Sequence, residues 1–80
     1  MKTVDVRFFA AFREMTGTES VSLETAAETV EDIFQGCLSR FPGLFRPEAT
    51  LVAVNDAMAS WSTAVSDGDT VLFFPPVAGG

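Results

Sequence analysis

Val30, Ile33, Phe34, Cys37, Leu38 and Phe41 fall at i, i+3, i+4, i+7, i+8 and i+11, a continuous apolar stripe along about three turns of helix. A helix with one such face has to lie on a second layer. Thr29-Val30-Glu31-Asp32 opens it with a capping-box pattern, in which Thr29 serves an orphan N–H and the acidic residues face the positive end of the dipole. Pro42-Gly43 stops it. Gly36, inside the helix, costs about 1 kcal/mol relative to Ala, and the expectation is that it lets the helix approach the second layer closely.

That layer is written around the helix as segments of period two. Val4, Val6 and Phe8 alternate with Thr3, Asp5 and Arg7, and Val21 and Leu23 alternate with Ser20, Ser22 and Glu24, so each is a strand with one buried face. Between them, residues 10–15 favour a helical turn ending at Gly17. Leu51-Val52-Ala53-Val54 is apolar throughout and ends at an Asn55-Asp56 turn, which predicts an inner strand. Met58-Ala59-Ser60 is the short return strand. Asp67-Gly68-Asp69 is a further turn, and Thr70-Val71-Leu72-Phe73-Phe74 a last strand that Pro75-Pro76 ends, neither proline having an N–H to donate. A hairpin, one main helix and three further strands predict an α+β chain of β-grasp type, ubiquitin-like. The mixed sheet has four to five strands, the first and last parallel at its centre.

Eighty residues with 48% hydrophobic side chains and eight Phe suffice for one small core. The expectation is one domain over residues 1–80, with 75–80 a flexible reactive tail. The formal net charge of −6 repels phosphate backbones and anionic lipid, which argues against nucleic acid and membrane as partners. No signal-peptide pattern or stretch of membrane-spanning length is present, and a single Cys suits a reducing compartment, so a cytoplasmic protein is expected. Histidine is absent, which removes Ser-His-Asp triads, Cys-His pairs and His-ligated metals. Cys37, on the apolar stripe with no cationic neighbour in evidence, reads as a buried structural thiol. Asp67 and Asp69 read as turn formers. Trp61 carries no functional assignment, and no metal site is expected.

The chemistry is concentrated at the end of the chain. Pro75-Pro76-Val77-Ala78-Gly79-Gly80 leaves the last strand as a stiff proline pair and finishes in two residues without side chains. Six extended residues reach roughly 20 Å, enough to carry a carboxylate into a narrow site on another protein while the folded body stays outside. A carboxylate is a poor electrophile, so a partner has to activate it, for example as an acyl-adenylate. The isolated glycines at 17, 36, 43 and 68 form no phosphate loop. ATP is therefore expected to be used by the partner, and no cofactor to be bound here.

The ending Phe73-Phe74-Pro75-Pro76-Val77-Ala78-Gly79-Gly80 resembles the MoaD/ThiS group of ubiquitin-like sulfur carriers, and within it the small subunits of molybdopterin synthase. Val6-Arg7-Phe8-Phe9-Ala10, Arg13-Glu14, Gly17, Val54-Asn55 and Asp67-Gly68-Asp69 extend the resemblance over nearly the whole chain. It implies that Gly80 is adenylated by a ubiquitin-activating-type adenylyltransferase (MoeB-like) and converted with a sulfur donor to a thiocarboxylate. The large synthase subunit (MoaE-like) would use that sulfur to build the dithiolene of molybdopterin, so the chain is no enzyme on its own. Gly79 is then the slender neighbour of the reacting residue, Pro75, Pro76, Val77 and Ala78 line the partner's channel, and Phe9, Met58 and Phe74 match the family's apolar docking patch. Alternation supports the patch independently: with Phe8 and Phe73 inward, Phe9 and Phe74 point outward as exposed aromatics. The alternatives are a sulfur carrier for thiamin or another thio-metabolite, a ubiquitin-like protein modifier, and a plain interaction domain with an inert tail.

Overall fold

In a computed structural model that describes residues 1–76, β1 (Lys2–Phe8) and β5 (Thr70–Phe74) run parallel, with Asp5 opposite Thr70 and Phe8 opposite Phe73. β2 (Ser20–Thr25) pairs antiparallel with β1 on one side. On the other side, β3 (Leu51–Val54) pairs antiparallel with β5 and β4 (Ala57–Ala59) with β3, giving the order β2-β1-β5-β3-β4. The two ends of the chain thus hold the centre of the sheet, as the sequence pattern predicts.

α2 (Val30–Arg40) covers one face. Its Val30, Ile33, Phe34 and Cys37 are buried in one cluster with Val4, Val6 and Phe8 of β1, Val52 of β3, and Val71 and Phe73 of β5. Fully burying side chains of this kind contributes about 1.5–3 kcal/mol each. The capping box is formed: the Asp32 N–H donates to Thr29 Oγ1 at 3.3 Å, and the Asp32 carboxylate accepts from the N–H groups of Glu28 and Thr29 at 3.1 and 3.2 Å. Those two backbone donors hold the Asp32 carboxyl below its ordinary range. α2 ends at Arg40, and Phe41, before Pro42, is extended with φ −119°, as sterics before proline favour.

The reason expected for Gly36 is overturned. It is exposed, and a Cβ built there meets nothing within 4 Å. The close approach is at Gly43, where a Cβ would stand 2.9 Å from the Met15 carbonyl oxygen. Gly36→Ala is therefore expected to raise the unfolding free energy by about 1 kcal/mol, measured by denaturant titration; a loss would mean that the helix needs glycine at this point.

The turns perform as their residues predict, with tertiary ties added. Asn55 and Asp56 have φ +50° and +69°, the two left-handed residues of a type I′ hairpin between β3 and β4. The Asn55 side chain donates to Asp69 Oδ1 and accepts from the Thr70 N–H, both at 2.9 Å, which pins this turn to the start of β5. Asp67 accepts from the Thr3 N–H at 2.7 Å and Asp69 from the Ser66 N–H at 2.7 Å, around Gly68 at φ +87°. The bonds from Asn55 and Ser66 keep the Asp69 carboxyl below its ordinary value. The residues 10–15 turn is a short helix, α1 (Ala11–Thr16), closed by left-handed Gly17.

Candidate functional site

Among the described residues no helix lies on the face of the sheet opposite α2, and period-two alternation decides what that face shows. With Val6, Phe8, Val52, Val71 and Phe73 buried against the helix, their neighbours turn outward: Arg7 on β1, Leu72 and Phe74 on β5, Leu51 and Ala53 on β3, and Met58 on β4. Register sets them side by side, Arg7 opposite Leu72, Leu72 opposite Ala53, Ala53 opposite Met58, and Leu51 opposite Phe74. The outer face is therefore apolar across β5, β3 and β4, and polar toward β2.

Of the three docking residues expected from sequence, Phe9 and Met58 are 57% and 66% exposed. Phe74 shares their face but is half-buried, a correction to its reading as an exposed aromatic; its cross-strand neighbour is Leu51. Phe9 continues the β1–β5 ladder by donating its N–H to the Phe73 carbonyl at 3.2 Å. A depression of about 430 Å³ opens beside it, lined by Arg7, Phe9, Asn55, Asp56, Thr70 and Leu72. Pro75 is half-buried and Pro76 exposed. Val77, Ala78, Gly79 and Gly80, expected to form the channel-filling tail and its reacting end, lie outside the described residues.

Leu51, Ala53 and Leu72 complete the apolar face and were not singled out from sequence. The signal was present: both strands are apolar at consecutive positions, which marks two faces that shun water. Ala10 had no such signal. It adopts φ +52°, ψ −122°, the first corner of a type II′ turn that glycine usually fills, closed by the Phe12 N–H donating to the Phe9 carbonyl at 3.0 Å. A non-glycine residue in that region carries roughly 1–3 kcal/mol of strain, stored directly beside exposed Phe9.

Trp61 belongs to the core margin. Its ring stacks on Phe73 at 5.7 Å, meets Phe34 edge-on at 5.4 Å, and is capped by the Arg46 guanidinium 3.7 Å from the ring centroid. Arg46 in turn pairs with Glu31 at 2.8 Å. Hydrogen bonds from Gln35 and then Arg46 hold the Glu31 carboxyl below its ordinary value.

Cys37 is fully buried, and burial pushes its thiol up to about 11. In the unfolded chain the thiol titrates near about 8.5. Between those values the unfolded state has lost a proton that the folded state keeps, so stability falls as pH rises. This contribution is fully present below about 8.5 and is lost through about 11. Denaturant titrations across this window should show the decline in the native chain and a shallower one in Cys37→Ala; equal slopes would refute it. Among the described residues no group of three or more His, Cys, Asp or Glu side chains is placed to hold a metal ion, and no helix is long and apolar enough to cross a membrane.

A five-stranded mixed sheet with parallel central strands from the two ends of the chain, wrapped on one long helix, defines a β-grasp, ubiquitin-like protein. The chain belongs to the ThiS family, whose model matches residues 6–80. It is 36% identical over 80 residues to the molybdopterin synthase sulfur carrier subunit of Escherichia coli K12, covering 96% of this chain and 99% of that protein. To small archaeal modifier protein 3 of Haloferax volcanii it is 34% identical over 93 residues, covering 96% of this chain and 98% of the relative. It also resembles a solved chain in the complex of subunits 1 and 2 of the molybdopterin-converting factor from Helicobacter pylori 26695, with a TM-score of 0.68, 28% identity, and coverage of 98% of this chain and 99% of that one.

Proposed function

We propose that this chain is a cytoplasmic sulfur carrier for molybdopterin formation, with the Gly80 carboxylate as the group that is loaded. The observation that carries the reading is an open apolar sheet face beside the strand that leads to the Gly-Gly end, in a chain whose family match runs through Gly80. Phe9, Met58 and Phe74 dock on the partner, and Pro75, Pro76, Val77 and Ala78 thread its channel with Gly79 just ahead of the reacting carbon. In activation, a Gly80 carboxylate oxygen attacks the α-phosphorus of ATP on a MoeB-like adenylyltransferase and pyrophosphate leaves. Hydrosulfide from a sulfur donor then attacks the acyl carbon, the C–O bond to AMP breaks, AMP leaves, and a thiocarboxylate results. A MoaE-like large subunit takes that sulfur and catalyses its transfer, while the carrier contributes a positioned reagent and binds no cofactor. The named pairing of two subunits in the Helicobacter pylori complex supports such a partner.

The test is incubation with the activating enzyme, ATP and a sulfur donor, followed by intact-mass spectrometry. The expected product has one terminal oxygen replaced by sulfur, and an unchanged mass would sink the reading. The similarity to an archaeal modifier protein favours one second reading, attachment of Gly80 to lysines of other proteins. It would appear as amide-linked adducts in place of the thiocarboxylate.

A further inference from the structure

Positive φ belongs to glycine and to a few small polar residues, and the chain follows that preference at every such position but one. Among the described residues those positions are Ala10, Gly17, Asn55, Asp56 and Gly68. Glycine, Asn and Asp tolerate them. Alanine does not, and Ala10 directly follows Phe9, which is 57% exposed on the proposed docking face.

The corner is held from both sides. Phe8 before it and Phe12 after it are fully buried. Between them the Phe9 N–H donates to the Phe73 carbonyl at 3.2 Å and the Phe12 N–H to the Phe9 carbonyl at 3.0 Å. The Arg13 and Glu14 N–H groups donate to the Ala10 carbonyl at 3.0 and 3.3 Å. These ties keep Ala10 in a conformation that alanine would otherwise leave. Its side chain is exposed and fills no space in the core, so folding alone favours glycine there. What the methyl changes is the width of the well. With a Cβ the allowed region around φ +52°, ψ −122° is narrow, whereas glycine ranges over a broad one. Phe9 and Ala10 share a peptide plane, so a narrow well at one limits the swing of the other.

We propose that Ala10 is a positioning residue for docking, a strained corner that holds the Phe9 ring in its binding orientation before a partner is met. This rests on the docking role of Phe9 proposed above. A ring ordered in advance loses less freedom on binding, so affinity is gained where stability is given up.

The test compares the full native chain with Ala10→Gly, with D-alanine placed at position 10 by chemical synthesis, and with Phe9→Ala. Each is followed by denaturant titration, backbone amide relaxation and titration with the MoaE-like large subunit. Ala10→Gly should raise the denaturation midpoint, lower the order parameters at positions 9 and 10, and weaken binding about threefold or more. D-Alanine, for which this corner is unstrained, should raise the midpoint and bind at the native level. Phe9→Ala should weaken binding by about tenfold. A merely structural role would move stability and affinity in the same direction. Native-level binding by Ala10→Gly, a lowered midpoint in that variant, or binding of the D-alanine chain as weak as that of Ala10→Gly overturns this inference alone. Native-level binding by Phe9→Ala, or no binding by the native chain, overturns the docking reading and this inference with it.

Discussion

Deleting Gly80 is expected to abolish ATP-dependent sulfur loading while leaving the thermal midpoint within about 2 °C of the native value. The loss should be complete because no neighbouring group can take over: Gly79 would end the chain one residue, about 3.5 Å, short of its proper reach, and a near-attack geometry tolerates far less than that. Stability should be nearly unaffected because, among the described residues, the buried core ends at Phe73. Intact-mass spectrometry reads the first effect and calorimetry the second. A large drop in the midpoint would show that the end of the chain is packed against the body and serves the fold.

Phe73→Ala should do the reverse and remove about 3–5 kcal/mol of stability. Phe73 is fully buried, edge-on to Phe34 at 4.9 Å and stacked on Trp61, so truncation opens a cavity between the helix and the centre of the sheet. Against the roughly 5–15 kcal/mol of a whole domain, and the low end of that range for a small one, this leaves a substantial unfolded population at 37 °C. One residue later, Phe74→Ala acts on the other face. It should cost folding only about 1 kcal/mol but weaken partner binding by roughly 2 kcal/mol, about thirtyfold. Chemical denaturation and titration of the large subunit separate the two effects. Unchanged affinity would remove Phe74 from the docking surface, and equal stability losses would mean that both rings serve the core.

These adjacent phenylalanines show how far local pattern reaches. Period-two alternation assigns Phe73 and Phe74 to opposite faces from sequence alone, because successive side chains on a strand must diverge. It is silent on the cover each face receives. Half-burial of Phe74 depends on Leu51, a residue 23 positions away brought opposite it by the β3–β5 register. The same limit applies to Gly36 and Gly43. Both lie near the α2 pattern, yet only Gly43 has a neighbour, the Met15 carbonyl from another element, that forbids a side chain. Alanine ordinarily avoids positive φ, so only the closed corner between β1 and α1 reveals the strain at Ala10.

Elements that answer to local rules were settled by the order of residues: the α2 stripe and its Thr29 cap, the Asn55-Asp56 and Asp67-Gly68-Asp69 turns, and the end of β5 before Pro75. Each rests on interactions within a few positions, where side-chain period, capping and proline geometry leave little choice. Tertiary structure alone decided which outward residues merge into one apolar face and where Trp61 sits. Those depend on strands distant in sequence meeting in register, and only the folded sheet brings them together.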